Sequence, residues 1–86
     1  MEKYRLVVTQ TAEKALYKLP KKIVPKILGA IQALSLNPYP FGCRKLAGEH
    51  DTFRIRVQTY RIIYEVHETT IEIKVLKIGH RKDVYR

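Results

Sequence analysis

Three closely spaced alternating segments in the second half of the chain narrow its fold more than any other feature. Phe53-Arg54-Ile55-Arg56-Val57 alternates strictly, residues 60–66 mostly do, and Ile71-Glu72-Ile73-Lys74-Val75 does so again. A period of two places every second side chain on one face, so each segment reads as a strand with one apolar and one wet side. Only Gln58-Thr59 separates the first two, which leaves room for a two-residue hairpin. That hairpin sets Val57 opposite Tyr60, Ile55 opposite Ile62 and Phe53 opposite Tyr64, three apolar pairs on one face. The turn chemistry is poor, because neither Gln nor Thr favours positive φ. A Glu68-Thr69 turn sets Val66 opposite Ile71, Tyr64 opposite Ile73 and Ile62 opposite Val75.

An apolar sheet face needs a cover, and the first half of the chain supplies it. Residues 4–9 are β-branched and apolar and read as a strand. Thr9 or Thr11 caps a helix carrying Ala12, Ala15, Leu16 and Leu19 on one face. Pro20 begins a second helix, in which Ile23, Ile27, Ala30, Ile31 and Leu34 form an apolar stripe and Pro25 falls in the first turn or so. Asn37-Pro38 stops it. Residues 37–52 read as a long loop with a short strand near Lys45-Leu46, and loops of that length in a small domain are often functional. The expected fold is one α+β domain over residues 1–86: an N-terminal strand and a two-helix hairpin packed on a mostly antiparallel, four-stranded twisted sheet.

Composition removes several classes. One cysteine, Cys43, excludes an intramolecular disulfide framework and a Cys-rich zinc site. No apolar run approaches the roughly 18 residues of a membrane span, and the N-terminal residues lack the apolar core of a signal peptide, so a cytoplasmic protein is expected. With 17 Lys plus Arg against 8 Asp plus Glu the formal charge is +9, which suits a polyanion or an acidic protein as partner.

The hairpin register says where that charge matters. On the face opposite the apolar pairs, Arg56 falls directly across from Arg61, with Arg54 two residues along. Like charges directly opposed on a sheet are destabilising, and an anion between them is the simplest compensation. Solvated arginines splayed off a wet face are the plain alternative. Arginine rather than lysine favours the anion, since its planar fork matches phosphate. Arg81, His80 and Tyr85 in the C-terminal segment are within reach of the same face. Together these side chains offer phosphate ligands, a titratable imidazole and an aromatic ring, which is what binding or cutting single-stranded RNA requires.

In Lys45-Leu46-Ala47-Gly48, residues 53–57, residues 60–66 and the segment from Val75 to Tyr85 with its Gly79-His80-Arg81, the chain resembles the RelE/ParE superfamily of toxins of type II toxin–antitoxin systems, and the RelE branch most closely. The resemblance covers nearly the whole chain. It implies a toxin that enters the ribosomal A site and cuts the mRNA there, with a cognate RelB-type antitoxin as partner and no small-molecule cofactor. By position it assigns Arg54 and Arg56 to the family's basic pair, with Lys45 beside them as a phosphate ligand. Arg61, Arg81 and Tyr85 match the catalytic arginines and the C-terminal tyrosine. The implied chemistry is attack of the RNA 2′-hydroxyl on the adjacent phosphorus, giving a 2′,3′-cyclic phosphate, with arginines holding the developing charge in place of a metal. Arg54 and Arg56 cannot act as general base where some relatives have lysine. His80 is the first candidate base, with Glu49, His50 and Asp51 in reserve. A ParE-like inhibitor of DNA gyrase without nuclease activity is the alternative, and an inactive copy that only binds RNA is a third.

Overall fold

A computed structural model describes residues 3–46, 48 and 51–80. The chain runs β1 (Arg5–Val8), α1 (Gln10–Lys18), α2 (Val24–Leu34), β2 (Arg44–Lys45), β3 (Thr52–Val57), β4 (Tyr60–His67) and β5 (Glu72–His80). The strands form one sheet in the order β1-β5-β4-β3-β2, antiparallel except for the parallel pairing of β1 with β5. The fifth strand is the two-residue β2, in the stretch where the sequence suggested a short strand. Thr9 caps α1, its side chain accepting from the Ala12 N–H at 3.2 Å. The second helix begins later than Pro20: residues 21–23 form a turn, and α2 starts at Val24 with Pro25 in its first turn.

Both helices cover one face of the sheet. Ala12, Ile23, Ile27, Ile31 and Leu34 are buried against Ile55, Ile62, Tyr64, Val66, Ile73, Val75 and Ile78. The loop after α2 is tied to the same core. Tyr64 donates to the Pro38 carbonyl at 2.7 Å. Its ring stacks on Phe53 at 5.9 Å, and Phe53 meets Tyr39 edge-on at 5.1 Å.

The first hairpin has the expected register throughout, with Val57↔Tyr60, Arg56↔Arg61, Ile55↔Ile62 and Phe53↔Tyr64. Gln58 takes the left-handed backbone of its turn, φ 58°. The second hairpin is shifted by two residues up to a bulge and by three beyond it. Val66 pairs with Ile73, Tyr64 with Val75 and Ile62 with Ile78, in place of Ile71, Ile73 and Val75. The connection is four residues long, and Ile71 itself turns the chain with φ 53°. A bulge between Ile63 and Tyr64 then leaves Leu76 unpaired and reverses the alternation of β5 beyond it.

Candidate functional site

Residues directly opposed across strands share a face, so the register defines what stands beside what. On the face away from the helices, one row runs Arg56–Arg61–Gly79 and the next runs Arg44–Arg54–Ile63–Lys77. Four arginines and a lysine thus lie within two adjacent rows. Arg61 is buried at 8% exposure, Arg54 is half-buried, and Arg44, Arg56 and Lys77 are exposed. Ile63, between Arg54 and Lys77 in its row, is also buried, as expected where long cationic side chains lay their stems on an apolar neighbour.

A buried guanidinium keeps its charge. An anion brought to Arg61 meets a cation already stripped of much of its water, in surroundings where charge interactions are screened less than at an open surface. Beside it, Gly79 contributes no side chain to the row. Arg44 and Lys77 were not among the residues expected from the sequence. The β2–β3 register brings Arg44 to this face, and the bulge that sets Lys77 opposite Ile63 brings Lys77.

Two expected site residues are placed elsewhere. Lys45 pairs with Phe53 and therefore lies on the helix-side face, while its neighbour Arg44 takes the place opposite Arg54 on the other. His80 pairs with Tyr60, its ring edge-on to the tyrosine ring at 5.8 Å, also on the helix side. Without the bulge in β5, His80 would have shared the face of Arg61; the extra residue Leu76 turns it over and puts Gly79 there. Asp51 is exposed just ahead of β3. Arg81 and Tyr85, and the reserve candidates Glu49 and His50, lie outside the described residues.

Two grooves open on the surface, one at the sheet edge and one on the helix side. One, of about 790 Å³, lies beside β3 where β2 ends, lined by Ala30 and Ala33 of α2, the loop residues Pro40–Cys43, and Arg44, Arg54, Ile55 and Arg56. The other, of about 520 Å³, lies between the helices and is mainly apolar, lined among others by Leu16, Tyr17, Leu19, Val24 and Leu28. Burial pushes the Tyr64 phenol well above the ordinary tyrosine range, with Cys43 adding to the effect, so its hydroxyl remains the donor to Pro38. No helix among the described residues is long and apolar enough to cross a membrane.

Residues 6–85 match the family model described as ParE toxin of type II toxin-antitoxin system, parDE. Toxin RelG of Mycobacterium tuberculosis is 36% identical over 87 residues, which cover 96% of this chain and 97% of the relative. Among solved structures, the toxin–antitoxin complex RelBE2 of M. tuberculosis contains a chain superposing with TM-score 0.82 at 30% identity, covering 96% of this chain and 97% of that one. The archaeal RelE–RelB complex of Pyrococcus horikoshii gives TM-score 0.82 at 33% identity, covering 95% and 99%. On sequence match and fold together, the chain belongs to the RelE/ParE superfamily of toxins of type II toxin–antitoxin systems, and the relatives it matches carry RelE-type names.

Proposed function

We propose that this toxin is a metal-independent endoribonuclease that cuts mRNA in the ribosomal A site and so stops translation in the cytoplasm. The observation that carries the reading is the pairing of a buried Arg61 with Arg56, with Gly79 on its other side. That row is shaped to hold a phosphate and to stabilise the additional charge on phosphorus as the 2′-hydroxyl attacks, leaving a 2′,3′-cyclic phosphate and a free 5′-hydroxyl. Arg44, Arg54 and Lys77 hold neighbouring phosphates, and Arg81 and Tyr85 complete the site by resemblance. Among the described residues, the Arg61 row has neither a carboxylate nor an imidazole, so its side chains do charge work rather than proton work. In this reading the ribosome aligns the 2′-hydroxyl with the phosphorus, and naked RNA is cut poorly.

The cognate antitoxin is the second partner, since several matched relatives of known structure are in complexes with one. The groove between α1 and α2, with exposed Tyr17 and Leu28, suits the apolar side of an acidic antitoxin segment.

The test is primer extension on mRNA bound to ribosomes with an empty A site, with wild type, Arg61→Ala and His80→Ala. Cutting within the A-site codon that is lost in Arg61→Ala supports the reading, and loss in His80→Ala would return the base role to that residue. The matched family model is described as a ParE toxin, which keeps gyrase in view. A folded, toxic wild type that cuts nothing and inhibits gyrase supercoiling would replace the nuclease reading.

A further inference from the structure

The groove beside β3 carries an aromatic residue, Phe41, in its lining. Pro40, Phe41, Gly42 and Cys43 form a tight turn closed by the Cys43 N–H donating to the Pro40 carbonyl at 3.0 Å. Gly42, at φ 90°, supplies the positive angle that such a turn needs at its third residue. This holds Phe41 at the tip with its ring fully exposed to solvent. A large apolar ring fixed in water by a rigid turn loses little freedom when something stacks on it. The groove's lining includes the apolar Ala30, Ala33 and Ile55, and among the described residues its charged lining is Arg44, Arg54 and Arg56, with no carboxylate. Its volume of about 790 Å³ falls in the range of sites for small organic ligands.

We propose that this groove is a nucleotide subsite. Phe41 stacks on one base of the RNA, while Arg44 and Arg54 take that nucleotide's phosphate. The inference rests on the RNA-cutting reading and deepens it: Arg54 and Arg56 line the groove and also belong to the rows around Arg61, so the bound nucleotide adjoins the one cut. An exposed ring beside guanidinium groups is the pairing that single-stranded nucleic acids use, and stacking tolerates any base. The subsite therefore sets the path of the strand rather than its sequence. An acidic protein segment would satisfy the arginines but gives no reason for an exposed ring held over a slot of nucleotide size.

The experiment measures binding of a fluorescent, uncleavable 2′-O-methyl hexanucleotide by anisotropy, beside the same oligonucleotide with one abasic position scanned along it. Wild type, Phe41→Ala and Phe41→Trp are compared; Phe41 is fully exposed, so its loss leaves the fold intact. Phe41→Ala is expected to weaken binding by roughly 5- to 150-fold, the range for loss of one base stack, and Phe41→Trp to retain it. One abasic position should weaken wild type equally and leave Phe41→Ala unchanged. Equal affinity of wild type and Phe41→Ala, or no saturable binding by wild type, overturns the proposal. So does Phe41→Ala that keeps RNA affinity but loses an acidic antitoxin peptide, which would make the groove a protein site. Stack loss in Phe41→Ala with a wild type that cuts no mRNA on ribosomes would retain the subsite and remove the cleavage reading.

Discussion

Replacing Tyr64 by phenylalanine isolates one hydrogen bond at the junction of core and loop. Tyr64 is completely buried, its hydroxyl donates to the carbonyl of Pro38 at 2.7 Å, and Pro38 is itself buried. Tyr64→Phe keeps the ring and its stacking on Phe53, so packing changes by one oxygen atom. The net value of such a bond is about 0.5–1.5 kcal/mol, and leaving the carbonyl unmatched raises the loss toward about 1–3 kcal/mol. We expect about 1.5–2 kcal/mol, which in a domain of this size lowers Tm by roughly 6–15 °C. Urea denaturation should show a lower midpoint with an unchanged slope, since the surface exposed on unfolding is the same. Amide exchange should accelerate in residues 37–43 before the rest of the sheet, because the loop loses its tether. A loss below about 0.5 kcal/mol, or loop amides that exchange as in wild type, would refute the role given to this bond.

Other expectations follow from the same geometry. Burial raises the Tyr64 pKa above the ordinary 10.0, so the unfolded chain releases this proton first; stability is undiminished below about pH 10 and falls above it, by up to about 1.4 kcal/mol per pH unit for the group. Denaturation midpoints from pH 8 to 11 check this, and Tyr64→Phe should flatten the decline. Gln58 is exposed and carries φ 58° at the hairpin turn, so Gln58→Gly should stabilise by about 0.5–1 kcal/mol in urea titrations. Arg56→Glu replaces a like-charge pair opposite Arg61 by an opposite one; it should keep or raise Tm while abolishing A-site cutting, whereas a large loss of Tm would contradict the register argument.

The first hairpin was legible because its two-residue gap and its apolar alternation agree on one register, and the Arg56–Arg61 pairing followed from that alone. The second hairpin was not, because its turn is made by Ile71 in a left-handed conformation that a β-branched residue ordinarily avoids, and neither Gly nor Asn marks the place. The bulge did leave a trace. Buried Ile73 and Val75 are two apart, while the next buried residue, Ile78, is three further on, and an odd step in an alternating strand signals an inserted residue. That single step decides that Gly79 and Lys77 accompany the arginines and that His80 does not, while the β2–β3 register places Arg44 with them and Lys45 on the other face. The apolar stripe of α2 was readable at every position; its start was not, because Pro20 is as compatible with a turn as with a first helical residue.

The parallel pairing of β1 with β5 has a consequence for when this protein comes into being. Arg5 finds its neighbour in Glu72, 67 residues later, and the two side chains are bridged at 2.6 Å. Until those residues have been made, β1 has no strand to join, α1 has no sheet edge to rest on, and the face that carries Arg61 has no Gly79 beside it. Folding is therefore withheld until nearly the whole described chain has been synthesised, and long-range closure of this kind is slow compared with helix formation. On the reading proposed for it, a protein that disables ribosomes is inert while one of them is still making it.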